Sequence, residues 1–414
     1  MKILFLCHRL PYPPDKGERI RAYHELRYLA TRHEVDLMCF ADSREDARYE
    51  SACREMCRSV SVEVLSPTAR LFRAAWAGVQ GKSMSEGFFY SRRFAQGVRE
   101  ALQRRTYDLV FVYCTSMGRF VPLSATVPIV ADFVDADSAK WAQYARGCSL
   151  PRSWLYHREA RAVAASELDL GSRAVIRLAT TAHDATELRA SHAGGDFPVQ
   201  IMRNGVEIPE TTGATDSISI VELKPFVVFV GTMSYRPNAE AVVLFARDIF
   251  PLVRRMYPQM NFVIVGRDPG RAVRRLESIP GVIVTGRVPD VFDYLRNAEM
   301  SVAPFRISQG FHNKIAESLA VGTPVVTSER AAAGIGLSVD QGLFTAETPD
   351  QFVKAIDYLM RHTGLRTKLR DAAATVRHLL GWQTQLERLE QQMLRMIGTE
   401  VGPVASTLCD EVLL

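Results

Sequence analysis

Lys314 and Glu317 lie three residues apart in the run Gln309-Gly310-Phe311-His312-Asn313-Lys314-Ile315-Ala316-Glu317. On a helix that spacing projects both side chains from one face. The helix is predicted to begin just after Gln309-Gly310-Phe311, whose glycine lets backbone N–H groups approach a ligand closely. Helix N-termini draw phosphate through unpaired N–H groups and the macrodipole. An anion seat, a cation for a diphosphate and a carboxylate able to accept ribose hydroxyls together suit a nucleotide-diphosphate ligand. The plainer alternative is an exposed i,i+3 ion pair. Three features weigh against it: a buried-type strand precedes the helix, a glycine marks its entry, and Leu319-Ala320-Val321-Gly322-Thr323-Pro324-Val325-Val326 returns at once to a sheet.

Asp135-Ala136-Asp137 follows another strand-like run. Asp-x-Asp holds a divalent metal on the sugar-nucleotide diphosphate in single-domain transferases, but two acids can also simply end a strand at its ligand-binding edge. No metal site is expected here, and Cys53-x-x-x-Cys57 lacks the second pair of ligands that zinc requires. Gly81-Lys82-Ser83 resembles the end of a phosphate-binding loop, yet Trp76 stands where its first glycine belongs. Neither half of the chain carries Gly-x-Gly-x-x-Gly after its first strand, which argues against a dinucleotide dehydrogenase.

The elements that must position these residues alternate along nearly the whole sequence, as βαβ units do around a parallel sheet. Strands are predicted at Lys2–Cys7, Val35–Phe40, Val60–Leu65, Asp108–Cys114, Pro128–Phe133 and Ala174–Thr181. The clearest helices of this half are Glu18–Ala30, Phe94–Arg104 and Ser153–Leu170. A polar stretch, Thr211–Ser219, reads as a linker. The second series has strands at Phe226–Gly231, Asn261–Gly266, Gly281–Thr285, Met300–Pro304, Pro324–Ser328 and Gly342–Thr345. Its helices fall at Asn238–Met256, Val291–Ala298, Asn313–Val321 and Asp350–His362, the last announced by the N-cap Thr348 and by Pro349. Leu365–Leu380 and Gln383–Ile397 complete the pattern, and 398–414 reads as a frayed tail. Two doubly wound domains imply a cleft, and ligands of open α/β sheets bind beyond the carboxyl ends of the strands.

The 414 residues can fill two cores at 47% hydrophobic composition. A formal charge of +5 is too mild to demand nucleic acid; an acidic ligand or membrane surface suffices. Seven scattered cysteines fit a reducing, cytoplasmic compartment. The apolar run at Met1–Arg9 is too short for a signal peptide, and no stretch approaches the length of a membrane span.

The chain resembles the GT-B glycosyltransferases, specifically family 4, which carry Glu-x7-Glu followed by Gly-x-Pro-Val-Val or similar. Glu317 matches the second glutamate and Gly322-Thr323-Pro324-Val325-Val326 the exit, while Gln309 stands at the first. Asn204-Gly205-Val206-Glu207 looks like the junction that joins the two domains of that family, and Trp382–Ile397 like the helix that crosses back to the first. The resemblance implies an α/β GT-B fold with two Rossmann-like domains facing each other across a cleft: 1–203, completed by a helix at about 383–397, and 204–382. It further implies a retaining transferase that uses a nucleotide-diphosphate sugar, with no metal or cofactor. In the family, the second glutamate grips the donor ribose and the first lies nearer the sugar. On this reading Gly17, Gly231, Arg236, Arg306, Gly310, Phe311, Asn313, Lys314 and Glu317 bind the donor, while Asp135, Asp137 and Gln309 serve catalysis. The usual Arg and Lys against the diphosphate are replaced by Thr232 and Asn238, so charge must come from Lys314, Arg306 or Arg236. Three stretches, Pro11–Arg21, Asp132–Trp141 and Gln309–Lys314, look like the transferases of exosortase exopolysaccharide systems. A catalytically inert sugar-nucleotide-binding protein and a sugar-nucleotide epimerase or hydrolase are the competing readings.

On the acceptor side, Leu71-Phe72, Trp76 and Val79 recur at near-helical spacing, and Phe88-Phe89-Tyr90 runs into Arg92-Arg93. Aromatic and basic groups together can dock at an anionic membrane, where polyprenyl-linked acceptors reside. The plainer expectation is that these aromatics belong to the core.

Overall fold

The computed structural model describes residues 1–14, 17–190, 198–208, 218–306 and 310–398. The chain divides into two compact units, Met1–Met202 with the segment from Gln385, and Arg203–Thr384. Each is a parallel sheet flanked by helices.

The first sheet comprises β1 (Lys2–Cys7), β2 (Glu34–Ala41), β3 (Ser59–Val64), β4 (Leu109–Tyr113), β5 (Ile129–Val134), β6 (Ile176–Ala179) and β7 (Gln200–Ile201), in the order β3-β2-β1-β4-β5-β6-β7. The second comprises β8 (Phe226–Val230), β9 (Asn261–Val265), β10 (Val282–Gly286), β11 (Met300–Ala303), β12 (Val325–Thr327) and β13 (Leu343–Thr345), ordered β10-β9-β8-β11-β12-β13. Central strands such as Leu109–Tyr113 and Phe226–Val230 are apolar and buried at every residue, because helices cover both faces of a parallel sheet. In both sheets the order reverses beside the first strand, between β1 and β4 and between β8 and β11. Open α/β sheets bind ligands at that switch point, beyond the carboxyl ends of the strands.

The predicted strands all form within a few residues of their expected ends; the two-residue β7 is too short to register as a pattern. The helix expected over Asn238–Met256 is interrupted. It runs as Arg236–Leu244, a π-helical turn at Phe245–Ile249, and Phe250–Met256. Pro251 explains the break, since it has no N–H to donate and its ring crowds the preceding turn. Leu365–Leu380 is likewise two helices, Thr363–Asp371 and Ala373–Leu380. Thr348 caps Pro349–Arg361 as the sequence predicts, accepting from the Gln351 N–H in a full capping box.

Two further helices bear on function, Pro67–Val79 and Asp137–Arg146. The expectation that Leu71, Phe72, Trp76 and Val79 belong to the core is wrong: all four are exposed. Phe89 and Tyr90 do pack against the core of the first unit. Among the described residues no helix is long and apolar enough to cross a membrane.

Candidate functional site

The second sheet's switch point gathers Gly231 after β8, the Pro304-Phe305-Arg306 segment after β11 and the helix Asn313–Ala320. Gly310 has φ of 71°, a left-handed conformation that favours glycine, and it turns the chain into that helix. His312 is the N-cap residue and offers no capping hydrogen bond from its side chain, so the first-turn N–H groups are not consumed by it.

Lys314 is half-buried and turns toward Gly231. Its Nζ donates to Asn238 Oδ1 at 2.5 Å, and Asn238 Nδ2 donates in turn to the Thr232 carbonyl at 2.8 Å. The ammonium lies 4.4 Å from the centre of the Phe229 ring and 5.2 Å from that of Phe305, placing it over aromatic faces. A Cβ added at Gly231 would meet Nζ at 2.6 Å and Asn238 Nδ2 at 2.8 Å, so only glycine leaves this approach open. Burial pushes Lys314 down to about 7, opposed by the charge of Glu317. The two do not form an ion pair within contact distance; among the described residues the Glu317 carboxylate has no hydrogen-bond partner. Burial holds that carboxyl above its ordinary range, with Lys314 opposing. The i,i+3 spacing therefore marks two groups on one helix face, not a surface salt bridge.

The remaining expected residues divide. Asn313 Oδ1 accepts from Asn204 Nδ2 at 3.2 Å, tying the helix start to the Asn204–Glu207 segment. Phe311 packs against the core of this unit. Arg236, expected against the diphosphate, is exposed and pairs with Glu240 at 2.6 Å. Arg306 is exposed and lines a hollow together with Arg236, Pro304 and Arg247. Gln309 lies outside the described residues.

Three side chains here escaped the sequence reading. In the sequence Asn238 stands only where a cation is missing, and its partner Lys314 is 76 residues away. Arg267, after β9, donates from Nε to Thr232 Oγ1 at 3.4 Å, bringing a second cation to the loop that follows β8. His312 stacks on Phe305 with ring centres 4.6 Å apart; burial, aided by Lys314, pushes its imidazole down to about 3 and keeps it neutral.

In the first unit, His8 and Cys114 directly follow β1 and β4, and Val134 ends β5. Cys114 and Val134 have φ of 70° and 67°, conformations that carry strain for residues with a Cβ and that cluster at functional sites. The Val134 turn presents Asp135 and Asp137. Burial and then the charge of Asp184 push Asp135 up to about 6; burial also raises Asp137, which pairs with Lys140 at 3.8 Å. His8 stacks on Tyr113 and meets Phe89 edge-on, and its buried Nδ1 has no hydrogen-bond partner. Burial holds His8 at about 3. Gly17 opens the helix Gly17–Arg32, and a Cβ there would meet only open space.

The strained turn is held from beneath. Asp132 accepts from Arg21 at 2.6 and 3.1 Å and from the Val134 N–H at 3.1 Å; Arg21 also donates to the Met202 carbonyl at 2.7 Å. Glu25 lies 3.0 Å from Arg21, and burial with the neighbouring Asp132 charge holds its carboxyl well above the ordinary range. Arg21 and Asp132 are fully buried. They sit in two of the stretches that carry the subfamily resemblance, and the fold pairs them.

Among the described residues no group of three or more His, Cys, Asp or Glu side chains gathers as a metal site.

Residues 224–362 match a family model described as Glycosyl transferases group 1. No curated protein sequence matches the chain. Among solved structures, HepE from Anabaena in complex with UDP is similar at 15% identity, with a TM-score of 0.69 over 95% of this chain and 100% of that one. Sucrose-phosphate synthase from Thermosynechococcus elongatus has 16% identity and a TM-score of 0.69, covering 96% and 100%. A putative UDP-N-acetylglucosamine 2-epimerase from Listeria monocytogenes has 11% identity and a TM-score of 0.59, covering 97% of each chain. The fold is that of two parallel-sheet Rossmann-like domains of the GT-B type, and residues 224–362, within the second unit, are similar to group 1 glycosyl transferases.

Proposed function

We propose that this chain is a retaining glycosyltransferase of family 4 that moves a sugar, a hexose in type, from a nucleotide-diphosphate donor to a glycan or polyprenyl-linked acceptor. The observation that carries the reading is the seat in the second domain. Lys314, fixed by Asn238 over Phe229 and Phe305, points at the loop of Gly231, while Glu317 keeps an unengaged carboxylate on the same helix face. Lys314, Arg267 and the N–H groups at the start of Asn313–Ala320 are preorganised to receive the negative charge that grows on the leaving diphosphate, without a metal. Glu317 accepts ribose hydroxyls. The HepE complex with UDP lends support to a uridine donor.

Asp135, poised near neutrality, orients or deprotonates the acceptor hydroxyl. The stretches Pro11–Arg21 and Asp132–Trp141 support a role beside exosortase systems in bacterial exopolysaccharide assembly, at the cytoplasmic face of the membrane.

The test is release of nucleoside diphosphate from UDP-, GDP- and ADP-sugars with and without acceptor glycans. Acceptor-dependent release is expected. Release without acceptor indicates a hydrolase, an altered sugar without release an epimerase, and binding without turnover an inert module.

A further inference from the structure

The helix Pro67–Val79 carries Leu71, Phe72, Trp76 and Val79 at 64, 71, 55 and 80% exposure. At 3.6 residues per turn these four fall within an arc of about 140°. Its inner contacts are made by others: Ala77 is buried, and Arg70 pairs with Asp42 at 2.7 Å. Leu150 and Trp154, 77 and 60% exposed, extend the surface from the start of the helix Arg152–Arg173. Trp154 precedes Arg158 by one turn on the same helix face, and Arg158 donates to the carbonyls of Gly78 and Lys82, so the two clusters adjoin. Single exposed apolar residues are ordinary, whereas six large ones gathered together mark an interaction surface.

Within the two segments that carry this surface the charges are of one sign. Residues 66–82 contain Arg70, Arg73 and Lys82 and no acid; residues 141–158 contain Arg146, Arg152 and Arg158 and no acid. Glu159, the next acid, is fully buried and accepts from the Ser83 hydroxyl and the N–H groups of Met84 and Ser85. Lys82, Arg146 and Arg152 are exposed.

From these observations we infer that the first domain docks on an anionic lipid bilayer. Leu71, Phe72, Trp76, Val79, Leu150 and Trp154 enter the headgroup–acyl boundary, and Lys82, Arg146 and Arg152 meet lipid phosphates. Apolar side chains on one face and cations at its edge are what an interfacial helix needs. The inference deepens the reading of a lipid-linked acceptor and rests on it only for its purpose.

The experiment is cosedimentation of the full chain with vesicles of phosphatidylglycerol and phosphatidylcholine, without sugar donor, so its failure leaves donor binding and transfer standing. Binding to phosphatidylglycerol vesicles is expected to weaken as salt rises. It should fall about tenfold or more in Phe72→Ser/Trp76→Ser while the melting temperature holds, because both side chains are already in water. Lys82→Gln/Arg152→Gln should weaken it as well. Absence of binding at low salt, or undiminished binding by the Phe72/Trp76 variant, overturns the inference. So does a dimer, seen by light scattering, that the same variant dissolves, since the face would then join two copies of the chain.

Discussion

Lys314 is held near 7 by its surroundings, with a neutral asparagine and two rings as its partners. The amine therefore loses its proton near neutrality when no anion faces it. A bound diphosphate favours the ammonium, so donor binding takes up a proton above pH 7 and weakens as pH rises, by up to about tenfold per unit. Asp135 imposes the opposite limb: as a base it must be ionised, and rates should fall as pH drops through about 6. The pH profile of kcat/KM should accordingly be bell-shaped, with its maximum between these values. Lys314→Ala should abolish the alkaline limb and lower kcat by about 30- to 1000-fold, equivalent to about 2 to 4 kcal/mol of lost transition-state stabilisation. Asp135→Asn should remove the acid limb. Gly231→Ala should raise the donor Kd about tenfold or more with the fold intact, since the added Cβ intrudes on Lys314 Nζ and Asn238 alone at close range. Titration of the donor and the denaturation midpoint together check that claim. The sequence made Lys314 and Glu317 visible through their helical spacing. Asn238, Arg267 and His312 were invisible because their partners lie far along the chain, and no local pattern encodes such meetings.

At the scale of elements, the helix Gly17–Arg32 and β5 are joined by a buried ion pair. Arg21 gives Asp132 a bidentate contact, and Asp132 also holds the Val134 N–H in its strained turn. Removing one member of such a pair strands the other charge out of water. Arg21→Met should destabilise the first domain by about 3 to 5 kcal/mol, read as a lower urea midpoint. If the network also sets the turn, the acid limb of the rate profile should shift in the milder Asp132→Asn. Strands such as Phe226–Val230 were legible as unbroken apolar runs, and Thr348-Pro349 as a helix start. The π-turn before Pro251 was not, because apolar periodicity continues through it. Nor was the outward face of Pro67–Val79, since apolar spacing on a helix reads alike whether the face meets a core or a membrane.

For the whole molecule, two parallel sheets place their switch points at β1/β4 and β8/β11, and the candidate residues collect where those strands end. Alternation of apolar runs and amphipathic stretches sufficed to predict both sheets. Donor base, sugar and acceptor are read by loop shapes that alternation does not encode. Transfer from a nucleotide sugar requires that the Lys314 seat bind a nucleoside diphosphate. Titration calorimetry of UDP, GDP and ADP at pH 6.5, on the unaltered chain and on Lys314→Ala, tests this directly. At least one should bind the unaltered chain, and its affinity should fall about 30-fold or more in the variant. Equal affinity for both proteins, or no binding of any of the three, would contradict it.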